Sequence, residues 1–271
     1  MNKRILAAPV FVKDQYRTSA NLEARIALHA RFSTATRDFH EWVFDHLDLP
    51  DRARVLEVGC GTGALWTKNR SHIPATWQLT LADFSLGMVE TTRAAGITAR
   101  CVQCDAQSLP FECEHFDAVI ANHMLYHVPD LPRALAEFRR VLKPSGKLYA
   151  ATNGEVHLRE YFQLVADFLG TERRRPQMQF TLENGTQQLA CAFVQVQRFD
   201  FDDALVVTEA EPLVAYAMSG MLGKEIIGRE NALRDFVAHR IARDGAIHIT
   251  KAAGLFVANQ VARCKGENHK S

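Results

Sequence analysis

The chain has 271 residues, 47% of them apolar, enough for one sizeable α/β core with an appended cap. Its 32 Lys and Arg nearly cancel its 31 Asp and Glu, so no net field draws it to nucleic acid or to an anionic membrane. No apolar stretch is long enough to span a bilayer, and the short run Ile5–Val12, interrupted by Pro9, makes a poor secretory signal.

In chain order, residues 18–32 read as an amphipathic helix with Leu22, Ile26 and His29 on one side. Phe39, Trp42, Val43 and Leu47 mark a second helix. An apolar run then enters Val-Leu-Glu-Val-Gly-Cys-Gly-Thr-Gly at 55–63, and a helix is expected from Thr62 onward. A second strand, 77–82, ends at Asp83. Ser85 caps a helix through Met88, Val89 and Thr92, stopped at Gly96. A third strand, 98–104, closes on Asp105-Ala106. A fourth, 116–121, runs into Asn122-His123-Met124-Leu125-Tyr126-His127. Asp130 caps a helix carrying Leu131, Leu135, Phe138 and Leu142. Residues 143–146 break it before a fifth strand at 147–151. This β-α-β alternation with short links predicts an α/β doubly wound parallel sheet, with ligands across the carboxyl ends of its strands.

Beyond it, residues 156–169 predict a helix with Leu158, Tyr161, Phe162, Val165 and Phe168 on its apolar side. A short helix is expected after 180–185, a strand at 193–199, a helix from 208–212 to Gly220, a last strand at 246–258 and a polar tail. The helices at 155–190 and 209–243 are the expected walls of an acceptor pocket.

The glycines at 59, 61 and 63 permit a tight turn and close approach of a ligand to main-chain N–H groups. Their G-x-G-x-G spacing differs from the G-x-G-x-x-G of dinucleotide loops, and Glu57 suits a cationic amine better than a pyrophosphate. The stretch resembles motif I of the class I S-adenosylmethionine (SAM)-dependent methyltransferases. Asp83 and Asp105 fall at the next two strand ends, in that family's order.

The resemblance is to the ubiquinone/menaquinone-type, small-molecule branch. It implies a Rossmann-like seven-stranded sheet, mostly parallel with an antiparallel last strand. It also implies a helical lid at 1–50, a SAM-binding core at 51–153, cap helices at 154–192, completion of the sheet at 193–260 and a tail at 261–271. SAM contacts are then expected from Glu57, Gly59, Gly61, Gly63, Asp83, Phe84, Met88, Asp105, Ala106 and Asn122, with S-adenosylhomocysteine as product. Asn122-His123 stands where enzymes methylating adenine or glutamine nitrogen carry Asn/Asp-Pro-Pro-Tyr, which disfavours a nucleic-acid base as acceptor.

Histidine has the pKa of a general base, so His123 and His127, just past strand four, are the catalytic candidates. On a helix they would share a face. Packing or loop stabilisation is the plainer role for both. Tyr16, His123, Tyr126 and His127 are the candidate acceptor contacts. No metal set is evident, and the Cys101-x-x-Cys104 pair lies within a strand, so the six cysteines read as reduced core thiols. Arg173-Arg174-Arg175 reads as a solvated turn, or as a contact for an anionic group. A cytoplasmic enzyme with a small-molecule acceptor is expected. A SAM-binding regulatory module and a nicotinamide-dependent oxidoreductase are the alternatives.

Overall fold

Five apolar segments with β-forming residues, each leading through a turn into a helix or loop, assemble as predicted. A computed structural model describes residues 27–172, 177–220 and 222–259. Tyr16, Leu22, Ile26, the Arg173–Arg175 run and the 261–271 tail lie outside these residues.

Helix α1 (Phe39–Asp45) precedes β1 (Arg54–Val58) and the short α2 (Ala64–Lys68). Then follow β2 (Gln78–Asp83), α3 (Leu86–Ala94), β3 (Arg100–Gln103), β4 (Phe116–Asn122), α4 (Leu131–Val141) and β5 (Leu142–Asn153). The rest comprises α5 (Arg159–Leu169), α6 (Gly185–Ala190), β6 (Gln195–Val207), α7 (Ala210–Ser219), α8 (Gly223–Ile226), α9 (Glu230–Asp244) and β7 (Ile247–Asn259). The strand order is β3-β2-β1-β4-β5-β7-β6. The first five strands are parallel, with Val55 beside both Leu79 and Ala118. The last strand inserts antiparallel between β5 and β6. The order reverses direction beside β1, so β1 and β4 diverge where a doubly wound sheet opens its ligand crevice.

The chain packs as two compact units. One consists of 39–152, 180–199 and 254–259 among the described residues. Its two cores lie on opposite faces of the sheet, one built on Leu56, Val119, Phe138 and Leu148, the other on Val55, Trp66, Leu81 and Ile120. Consecutive residues of one strand therefore feed different cores, as expected of strands buried on both faces. Asp130 caps α4 as predicted, accepting from the Arg133 N–H at 3.1 Å. The other unit, within 27–38, 153–179 and 200–253, has its own core around Leu28, Tyr161, Leu205, Leu213, Leu233 and Ile249.

Several boundaries move. Leu142 belongs to β5, not to the preceding helix, because it pairs with Phe116 across a register shift before Lys147 pairs with Ala118. Leu158 lies outside α5: it takes a left-handed conformation (φ 57°) and its N–H donates to the Thr250 carbonyl at 2.7 Å. Strand β6 runs eight residues past Phe199. Its acids disguise an alternation that buries Phe201, Asp203, Leu205 and Val207. Asp203 can sit among apolar residues because Lys251 pairs with it and Ser33 Oγ donates to it at 2.6 Å. The thiols are not all core: Cys60 is buried and Cys101 and Cys104 half-buried, but Cys113 and Cys191 occupy exposed turns.

Candidate cofactor site

Strand β1 delivers Glu57 and Val58 into a loop whose glycines 59, 61 and 63 all have positive φ (74°, 55° and 75°). At Gly59 a Cβ would lie 2.7 Å from the Cβ of Met124, so β4's outgoing segment closes directly over the loop. The main-chain donors expected to face a ligand are already engaged. Gly59 and Cys60 N–H donate to the Ala82 carbonyl (2.8 and 3.0 Å), Gly61 N–H to Asp83 Oδ2 (3.0 Å) and Gly63 N–H to the Cys60 carbonyl (2.9 Å). Thr92 Oγ1 on α3 donates to the Gly61 carbonyl at 2.7 Å. The loop is thus a rigid, internally bonded turn, and side chains must supply most of its recognition.

Glu57 is buried, 3% exposed. Trp66 Nε1 donates to its Oε2 at 2.6 Å, and Asn122 Nδ2 to its Oε1 at 3.4 Å. Burial pushes the Glu57 carboxyl up to about 8, against these two hydrogen bonds, and Asp83 adds to the rise. Asn122 Oδ1, beside it, is buried with no hydrogen-bond partner. Among the described residues this is an acceptor-rich pocket lacking a cation, so a ligand ammonium fits its chemistry.

Asp83 lies at the end of β2. Burial raises its pKa, while the Ser85 and Gly61 N–H groups, each on one carboxylate oxygen, act the other way. Each oxygen keeps a further lone pair for a diol. Phe84, next to it, is 48% exposed, an aromatic face open to stacking. Met88 is half-buried on α3. Asp105, past β3, accepts from the Gln107 N–H at 2.9 Å and from Gln107 Nε2 at 3.0 Å. The Ala106 side chain is in the core, so that residue can offer only its backbone.

At the end of β4, His123 has φ 51°, and its N–H donates to the Ala151 carbonyl at 2.9 Å. Its ring lies 5.0 Å from that of Phe39. A 3₁₀ turn covers only Leu125–His127, so the two histidines do not share a helical face. Tyr126 packs on the core, and its ring lies 4.5 Å from that of His127, tilted by 59°. Trp66, Thr92, Gln107 and Met124 were not anticipated. Trp66 was legible in principle: a buried indole N–H needs an acceptor, and it stands one helical turn past the loop. Among the described residues no cluster of three or more His, Cys, Asp or Glu is placed to hold a metal. No described helix is long and apolar enough to cross a membrane.

A family model described as a methyltransferase domain matches residues 56–150. Demethylmenaquinone methyltransferase of Renibacterium salmoninarum is 36% identical over 116 residues, 43% of this chain and 48% of that protein. The ubiquinone/menaquinone biosynthesis C-methyltransferase UbiE of Shewanella halifaxensis is 41% identical over 101 residues, 35% of this chain and 40% of that protein. The chain thus spans less than half the length of these two relatives. A SAM-dependent methyltransferase from Thermotoga maritima superposes with a TM-score of 0.54 at 18% identity, covering 92% of this chain and 99% of that one. The [4+2]-cyclase SpnF gives 0.56 at 20% identity, covering 92% and 96%. The fold is the Rossmann-like one of the methyltransferase structures it resembles. Within it, residues 56–150 are a methyltransferase domain similar to those of the quinone-type, small-molecule enzymes.

Proposed function

We propose that the chain binds SAM at the carboxyl ends of β1 to β3 and directs direct in-line transfer of its methyl group to O, N or an activated carbon of a small organic acceptor. One observation carries this reading: successive strand ends present Glu57, Asp83 and Asp105, the first buried without a cation and the second beside an open aromatic face. Glu57 with Asn122 would receive the amine of the methionine end. Asp83 would take the ribose hydroxyls, Phe84 and Met88 would pack on the adenine, and Asp105 with the Ala106 backbone would read the ring edge. Bound SAM would supply an electrophilic methyl on a sulfonium with a neutral thioether leaving group.

The protein's remaining tasks are alignment and exclusion of water. His123 and His127, on the segment past β4, would be the bases for acceptors that must lose a proton. Tyr126 and Tyr16 would be the further acceptor contacts. The names of the similar proteins, quinone methyltransferases among them, support a small-molecule acceptor. Free cysteines on the surface support a reducing, cytoplasmic setting.

One other reading is a SAM-binding protein that does not transfer the methyl, since the same fold is found in a protein titled a cyclase. Calorimetric titration with S-adenosylhomocysteine, with NADH as control, tests the cofactor. Micromolar binding of the former alone supports SAM. Label transfer from methyl-labelled SAM to a panel of phenols, amines and quinols then separates turnover from binding. Folded protein that ignores S-adenosylhomocysteine would end the reading.

A further inference from the structure

The Glu57 carboxyl is unusual in how it is held. Each of its oxygens has its own donor, from a different element: Trp66 Nε1 from α2 at 2.6 Å and Asn122 Nδ2 from the end of β4 at 3.4 Å. Trp66 is fully buried. Its indole can only donate, so it serves a lone pair and never the acid proton. Asn122 turns its amide nitrogen toward Glu57, which leaves its buried Oδ1 with no donor. The charged group acting on Glu57 is another acid, Asp83 of β2, and the neighbouring thiol is Cys60 of the loop. Among the described residues, the arrangement supplies acceptors, orients them and omits the cation.

We propose that Trp66 and Asn122 are positioning residues that hold Glu57 as a proton-exchanging receptor for a ligand's cationic amine, so that one proton leaves the Glu57 carboxyl when the amine docks. The inference rests on the cofactor reading above. The step balances: a neutral carboxylic acid and an ammonium become a carboxylate–ammonium pair, and the acid proton passes to solvent. The ammonium N–H groups then satisfy Glu57 Oε1 and the orphaned Asn122 Oδ1 together, while the indole keeps Oε2 in place. Burial holds the empty site protonated, up to about 8, so loading is coupled to pH across the neutral range.

The test is titration calorimetry between pH 6 and pH 9, in buffers of different ionisation enthalpy. The probes are S-adenosylhomocysteine and 5′-methylthioadenosine, which lacks the amino-acid end. For the wild-type protein, S-adenosylhomocysteine affinity should rise ~10-fold per pH unit on the acid side of the inflection and then level off. About one proton should be released at pH 6.5, and fewer at pH 9. Methylthioadenosine should show neither effect. Trp66→Phe should move the inflection upward and weaken S-adenosylhomocysteine ~10-fold at pH 7, with the gap narrowing by pH 9 and methylthioadenosine untouched. Asn122→Ala should weaken the amine-bearing probe alone, and it serves if Trp66→Phe does not fold. A pH-flat wild-type affinity without proton release would overturn the inference while leaving the cofactor reading intact. So would variants that weaken both probes equally at every pH. Failure of the folded wild-type protein to bind S-adenosylhomocysteine would overturn the cofactor reading and this inference with it.

Discussion

Two buried carboxylates show how differently the two units treat charge. Asp203, on β6, is saturated: Lys251 pairs with it, Ser33 Oγ donates at 2.6 Å, and the Thr34 and Ala35 N–H groups donate at 3.2 Å. Glu57, on β1, receives one indole and one amide and, among the described residues, no cation. A buried charge costs several kcal/mol unless paired, so Asp203 is ionised and structural, whereas Glu57 keeps its proton until a partner arrives. The difference separates a residue that completes a fold from one that awaits a ligand, though both are acids buried at strands.

The contrast can be broken most forcefully at Asp203. Replacing it by Ala strands Lys251, and unfolding in urea should show a loss of ~3–5 kcal/mol. Glu57→Gln strands no charge. It should keep its urea midpoint at or above that of the wild type, yet lose S-adenosylhomocysteine affinity by ~10–100-fold. Calorimetry and denaturation on the same sample would separate the two effects, and a Glu57→Gln protein as unstable as Asp203→Ala would erase the distinction.

Next in size are the glycines. Gly59→Ala places a methyl 2.7 Å from Met124 Cβ at φ 74° and should cost ~2–4 kcal/mol of stability. Gly61→Ala meets nothing within 4 Å and should cost only the left-handed backbone penalty of ~1–2 kcal/mol. Equal losses would mean that the loop and Met124 do not pack as described.

The two units should also lean opposite ways with pH. The folded state holds the Glu57 proton to about 8 against 4.5 for an ordinary Glu, so this residue's contribution falls as pH rises through that window. His29, in the other unit, is pushed down to about 4 from 6.5, chiefly by burial. Its contribution falls as pH drops from 6.5 through 4. Stability against pH should lose its fall between 4.5 and about 8 in Glu57→Gln and its fall from 6.5 down through about 4 in His29→Phe. The smallest change belongs to a surface pair: Asp48→Asn, which releases an exposed partner of Lys147, should move unfolding by less than ~0.5 kcal/mol.

The unit holding β1 to β5 was legible because its landmarks are local. Glycine loop, strand-end acids and the Asp130 cap each declare themselves within a few residues. The partners of those landmarks were not. Trp66 reaching Glu57 and Gln107 occupying Asp105 are matters of side-chain direction, invisible to spacing. In the other unit, long-range compensation defeats local reading. Asp203 looks like a surface residue until Lys251, 48 residues later, is placed against it, which is why β6 was read eight residues too short. The left-handed Leu158 likewise depends on the carbonyl of Thr250.

That β7 inserts between β5 and β6 has a consequence for biosynthesis. Each unit draws on β7, one on 247–253 and the other on 254–259. Neither can reach its full set of contacts until its own part of β7 has been made. The glycine loop and β1 to β5 emerge early, but the sheet edge they present at β5 stays unpaired through the synthesis of residues 154–246. Such an edge is a template for wrong partners. The nascent chain is therefore most exposed to misassembly in that interval, and late arrival of β7 closes it.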